Sequence, residues 1–152
     1  MYDYSIYWIK QEIANHYFHK SDILYRFFEE YHHNKNRIDL RKQFLYITKN
    51  IEKDTIISIL KYNLKDDVQI KQNGSTSEIY DNGHFISLHI DKKQLNFRSR
   101  SLQDAEEFLF PVLRLIHPLF FVVGHRDQNY GWISPIKFPR NIDRNQVLYS
   151  CR

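Results

Sequence analysis

The chain has 152 residues, 42% of them hydrophobic and 16% aromatic, with a formal net charge of +4 and a pI of about 9.1. A chain of this length folds as one domain and buries ~68–70% of its unfolded surface, so it needs neither a disulfide nor a metal to fold. Mild basicity admits a nucleic-acid or acidic-protein partner without requiring one, and four glycines and four prolines leave little room for long linkers.

The single cysteine, Cys151, cannot close an internal disulfide, which fits a reducing cytoplasm. No basic segment followed by an apolar run opens the chain, and no apolar run approaches the ~18 residues of a membrane helix. A cytoplasmic protein with no membrane span is the expectation.

Tyr2 to Ile9 reads as a strand, with Tyr2, Tyr4, Ile6 and Trp8 on one face and Asp3, Ser5, Tyr7 and Ile9 on the other. A short helix follows through Phe18. Its Ile13–Tyr17 and Ala14–Phe18 pairs form two i, i+4 rows that together span roughly 140° of circumference, more than the ~100° stripe one buried face needs. Helix geometry alone favours burying both rows, because apolar residues usually go inside.

Ser21 is placed to cap a longer helix to about His33, with Ile23, Leu24, Phe27, Phe28 and Tyr31 as its stripe. The polar run His32 to Arg37 breaks it. Ile38 to Thr48 reads as a helix with Leu40, Phe44, Leu45 and Ile47 inward, although Phe44 to Thr48 is also good strand material. Asp54 is placed to cap a helix to about Leu64, using Ile56, Ile57, Leu60 and Leu64.

The second half changes period. Val68 to Gln72 and Glu78 to Tyr80 read as short strands broken at Asn73-Gly74, and Asp81-Asn82-Gly83 as a turn. His84 to Ile90 and Gln94 to Arg100 form a hairpin around Asp91-Lys92-Lys93. Ser101 caps the last helix with Asp104 as its capping pair, and Pro111 should kink or break that helix. Its stripe is Phe108, Leu109, Val112, Leu115 and Ile116. Leu119 to Val123 is a buried-type strand, Gly124 to Asn129 a polar loop, and Tyr130 to Ile136 an edge segment. Together these predict one α+β domain over residues 1–152, with a mostly antiparallel sheet of about five strands packed with several helices. Residues 140–152 would form a loosely held tail.

Candidate chemistry is sparse. His16 and His19 lie i, i+3, but no Cys, and no Glu at metalloprotease spacing, joins them, so no metal or cofactor is expected. His125-Arg126-Asp127 could suggest acid–base work, yet no Ser or Cys in a nucleophile motif pairs with it. An enzyme built there would show a pocket converging on His125 with shifted titration. Lys92, Lys93, Arg98 and Arg100 are the densest basic excess. A solvated hairpin face is the preferred reading, with a nucleic-acid-binding hairpin from Lys92 to Arg100 as the alternative function.

The run Tyr4 to Phe18, with its Ile9-Lys10-Gln11-Glu12-Ile13-Ala14-Asn15-His16-Tyr17-Phe18 core, resembles the N-terminus of the SirA family of sporulation inhibitors of replication. The likeness continues at Phe27 or Phe28 through Tyr31-His32, at Gln43 and Tyr46-Ile47-Thr48, and at Tyr130-Gly131-Trp132-Ile133-Ser134-Pro135-Ile136-Lys137. It is weak between Asp66 and Phe97. The resemblance implies a small, non-catalytic cytoplasmic protein that binds the N-terminal domain of the initiator DnaA through its first helix and blocks new rounds of replication. It implies anchors at Ile13 and Tyr17, a polar contact at Gln43 and a sensitive proline at Pro135. The family pattern can carry Phe at the first anchor, where this chain has Ile13. His16 and Lys20 lie beside the row as a possible rim. The expected assembly is a monomer that joins a heterocomplex, with no direct nucleic acid required. On that resemblance, Ile13 and Tyr17 should be exposed in the free protein and Ala14 and Phe18 buried.

Overall fold

A computed structural model describes residues 1–64, 68–81, 83–134 and 148. The elements are β1 (Tyr2–Trp8), α1 (Gln11–Tyr17), a 3-10 turn (Phe18–Lys20), α2 (Ser21–His33), α3 (Ile38–Ile47) and α4 (Lys53–Asn63). Then come β2 (Gln69–Asn73), β3 (Thr76–Asp81), β4 (His84–Ile90), β5 (Leu95–Ser99), α5 (Leu102–Phe108), α6 (Phe110–Ile116), β6 (Phe120–Gly124) and β7 (Tyr130–Trp132). The strands form one antiparallel sheet in the order β2-β3-β4-β5-β1-β6-β7. The class is the expected α+β. The sheet has seven strands rather than about five, because every segment read as extended, the short edge strands β2 and β7 included, pairs into the one sheet.

The first strand is central because both its faces have apolar residues to bury. Tyr4 and Ile6 join Ile79, Ile86, Leu88, Phe97, Phe120 and Val122 on one face, beneath α4, α5 and α6. Tyr7 and Ile9 join Phe121, Val123 and Trp132 on the other, beneath α1, α2 and α3. Alternation along β1 and β6 thus feeds two cores at once. β5 and β6 flank β1, both antiparallel to it, so α5 and α6 carry the chain across the sheet between two strands that run the same way.

Several local expectations hold. Ser101 caps α5, its hydroxyl accepting the Asp104 amide at 3.3 Å. The last helix divides at Leu109, with Pro111 the second residue of α6, where its missing N–H costs nothing. Gly74 and Gly83 turn the two hairpins at φ of 61° and 89°, left-handed values that glycine adopts freely.

Other expectations are corrected. Ser21 is the first residue of α2, not its cap, and its hydroxyl donates back to the Phe18 carbonyl at 3.0 Å. Asp54 lies inside α4, which begins at Lys53 without a side-chain cap. Leu45 is 44% exposed and Leu115 is 67% exposed. Leu45 lies one position past Phe44 and Leu115 two past Leu113, so Leu40 and Phe44 in α3, and Val112 and Leu113 in α6, take the inward places. The tail from 140 to 152 lies outside the described residues except Leu148, which packs against the first-face core.

Candidate functional site

The helices over β1, β6 and β7 share one pattern. In α1 and the turn after it, Ala14 and Phe18 are buried, at 0% and 3% exposure, while Ile13 and Tyr17 are half-exposed. In α2, Leu24 and Phe28 are buried, while Ile23 is exposed and Phe27 half-exposed. In α3, Leu40 and Phe44 are buried, while Gln43 is exposed and Ile47 half-exposed. Each helix sinks one i, i+4 row and holds outward the row one residue earlier, ~100° round the axis.

These outer rows bound a single cleft of about 530 Å³, lined by Ile13, Tyr17, Ile23, Phe27, Gln43 and Ile47, with Lys42 and Tyr46 at its wall. The structure therefore brings Ile13, Tyr17 and Gln43 to one surface. His16 and Lys20 are exposed beside it, the His16 ring meeting that of Tyr17 edge-on at 4.7 Å. Pro135 lies outside the described residues. By periodicity Ile23 and Phe27 read as core, and Tyr46 enters the sequence reading only through the Tyr46-Ile47-Thr48 resemblance, with no site role. The signal available was the width of the α2 stripe, which carries the same surplus row as α1.

The cleft rests on a rigid aromatic base. Tyr7 stacks on Phe28 at 3.9 Å, and Phe44 meets Tyr31 at 4.3 Å. Burial pushes the Tyr7 phenol above its ordinary value, the hydrogen bond with Ser5 opposing only part of that shift. Trp132 is fully buried, 6.0 Å from Phe18 and 5.0 Å from Phe121. The Tyr130-Gly131-Trp132 run and the Ala14-to-Phe18 run, far apart in sequence, therefore meet behind the cleft.

The basic hairpin does not converge. The Lys93 ammonium donates to the Thr48 carbonyl at 2.9 Å, Arg98 pairs with Asp3 at 2.6 Å, and Arg100 reaches the Gly83 carbonyl at 3.5 Å. His125 has a partner the sequence did not reveal. Its Nε2 lies 2.7 Å from Ser5 Oγ and its Nδ1 lies 3.1 Å from Glu29 Oε1. The row has the order of a serine–histidine–acid relay. However, Ser5 is 2% exposed in the middle of the central strand, and its hydroxyl already donates to Asn96 Oδ1 at 2.7 Å. The row instead ties the β6–β7 loop to α2. His32 stacks on His125 at 4.1 Å, and burial, with the charges of His125 and Lys35, holds the His32 imidazole below its ordinary value. No helix among the described residues is long and apolar enough to cross a membrane.

Fold and cleft define an α+β protein with an accessible apolar surface shared by three helices. The family model described as sporulation inhibitor of replication protein SirA matches residues 2–137, and the chain belongs to that family. The protein of Bacillus subtilis (strain 168) described as sporulation inhibitor of replication protein SirA is similar, 29% identical over 140 residues. The aligned region covers 88% of this chain and 94% of that relative.

Proposed function

We propose that this protein is a non-catalytic inhibitor of replication initiation during sporulation. It acts by seating the N-terminal domain of DnaA on the α1–α2–α3 cleft. The observation that carries the reading is the gathering of Ile13, Tyr17 and Gln43, from two helices, around one apolar cleft in a chain of this family. Tyr17 supplies a rigid ring with a polar tip, the type favoured at interface anchors. Ile13 fills the space beside it with a branched aliphatic chain, and Gln43 orients the contact by hydrogen bonds. His16 and Lys20 form the polar rim, and the family resemblance adds Pro135 to the partner-binding residues. A surface of this kind suits an interface near ~800 Å² per partner.

The test is co-purification of the whole protein with the N-terminal domain of DnaA, repeated with Tyr17→Ala. Capture by the unchanged protein and loss by the folded variant supports the reading. Equal capture by both would remove Tyr17 from the site, and no capture by either would remove the partner.

A further inference from the structure

A second cavity, of about 610 Å³, lies beside the C-terminal end of α3, between the β1 terminus, the Thr48–Glu52 linker and the end of α6. Its size is that of a small-molecule site, ~300–1,000 Å³. The floor is apolar, made of Trp8, Ile51, Ile56, Ile116 and Phe120. The mouth carries Lys10, Lys49 and Lys93, against one carboxylate, Glu52, which accepts the Thr55 hydroxyl at 3.0 Å.

None of the three ammonium groups has a carboxylate partner among the described residues. Lys10 lies over the Tyr46 ring and Lys49 over the Trp8 ring, each at 4.6 Å, and Lys93 is held by the Thr48 carbonyl. Burial, together with the like charges of Lys10 and Lys92, holds the Lys93 ammonium below its ordinary value. Burial and then Lys49 do the same to His117. Like charges gathered on one rim repel, and a low-dielectric wall strengthens the repulsion. A carboxylate or phosphate at the mouth would offset the charge of the three lysines that line it, while a flat hydrocarbon part would cover the floor.

We infer that this cavity binds a small organic anion carrying a planar ring, its carboxylate or phosphate shared by Lys10, Lys49 and Lys93 and its ring lying on Trp8, Ile56 and Phe120. This site is separate from the α1–α2–α3 cleft and does not depend on the DnaA reading. The two adjoin through Lys10, at the mouth of one, whose ammonium rests on Tyr46, at the wall of the other.

The experiment uses 8-anilinonaphthalene-1-sulfonate as the anionic probe and N-phenyl-1-naphthylamine as its uncharged counterpart, with the full chain. Binding of the anion should weaken at least tenfold in Lys10→Gln/Lys49→Gln/Lys93→Gln, while the uncharged probe is unaffected. Thr55→Trp, which fills the mouth and leaves the lysines, should exclude both. Circular dichroism checks that each variant folds, and chemical-shift changes at Ile56 and Trp8 must accompany binding. Unchanged anion affinity in the triple variant, or shifts confined to the α1–α2–α3 cleft, would overturn the assignment. Competition with AMP and with indole-3-acetate then separates the head groups. Displacement by the first assigns a phosphate and by the second a carboxylate, and displacement by neither at millimolar concentration also overturns it.

Discussion

The two faces of the sheet are covered in different ways. On the first, the apolar rows of β1, β3, β4, β5 and β6 form a broad platform, and α4, α5 and α6 lay their inward residues across it. On the second, the buried apolar strand residues come from β1, β6 and β7. Beside them that face is polar, because register places Ser5, Asn96, His89 and Thr76 in one row and Asp3, Arg98, Ser87 and Glu78 in the next, with the Tyr80–Phe85 ring pair beyond. Three amphipathic helices therefore share a platform three strands wide. Each sinks one row into it, and the second rows of all three meet at the outer surface. The cleft is a consequence of crowding: the apolar surface of α1–α3 exceeds what that half of the sheet can take, and the excess is grouped rather than scattered.

The sharpest way to test this division is to delete one residue from each row. Phe28 is fully buried against Tyr7, Phe44 and Phe121, and Phe28→Ala should cost ~3–5 kcal/mol in urea denaturation. Phe97→Ala, its fully packed counterpart on the first face at 1% exposure, should fall in the same range. Unequal losses would mean that the narrower platform is also a weaker core.

Tyr17→Ala should behave in the opposite sense. Its ring is half-exposed in the outer row, so stability should change by no more than ~1 kcal/mol. In the proposed function, the same change should weaken binding to the DnaA domain by at least ~2 kcal/mol, roughly 30-fold, as at an interface anchor. If titration calorimetry finds binding intact while denaturation shows a loss like that of Phe28→Ala, the two rows do not have separate jobs. A smaller effect belongs to the first face alone: Ser101→Ala removes the acceptor for the Asp104 amide and should cost ~1 kcal/mol, with no change in DnaA binding.

The rows were only partly legible in the sequence. Period fixed the existence of α1 and α2 and the alternation of β1, because i, i+4 and i, i+2 spacings are local facts. Which of two adjacent rows faces the sheet is not local. It depends on how many strands lie beneath the helix, and that number emerges only when β6 and β7 return to β1 from the far end of the chain. Geometry alone favoured burying Ile13 and Tyr17, and the family resemblance favoured exposing them. The half-exposed positions they occupy follow from platform width. The same reason explains why Ile23, Phe27 and Leu45, which periodicity alone assigns to the core, stand exposed or half-exposed. The partner of His125 was hidden for a related reason. Ser5 and Glu29 belong to different elements and make no sequence motif, and the β6–β7 loop reaches both only once β6 pairs with β1.

The smallest expected effect is a pH dependence that draws on both sides. His32 lies beside Glu29, His33, Lys35 and His125 near the open half of the second face, and burial is the first cause of its lowered value. His117 lies beside the Trp8 ring, 5.5 Å away, and feels the charge of Lys49 on the first-face side, again lowered first by burial. In both cases the unfolded chain takes up the proton at the ordinary value of 6.5, before the folded protein does. The unfolded state then binds more protons, so stability is complete above that pH and declines as pH falls through it. The melting temperature should therefore drop between pH 7.5 and pH 5.5, and only slightly, because both rings remain partly solvated and screened. His32→Phe keeps the stack on His125, and His117→Asn keeps an acceptor near the Leu119 amide that His117 Nδ1 now binds at 3.2 Å. Each variant should flatten part of the slope, and the two together most of it. A slope unchanged by His32→Phe but abolished by His117→Asn would place the acid sensitivity on the broad face. The crowded half of the sheet would then be the more tolerant of charge, as its polar, open rim beside α2 would allow.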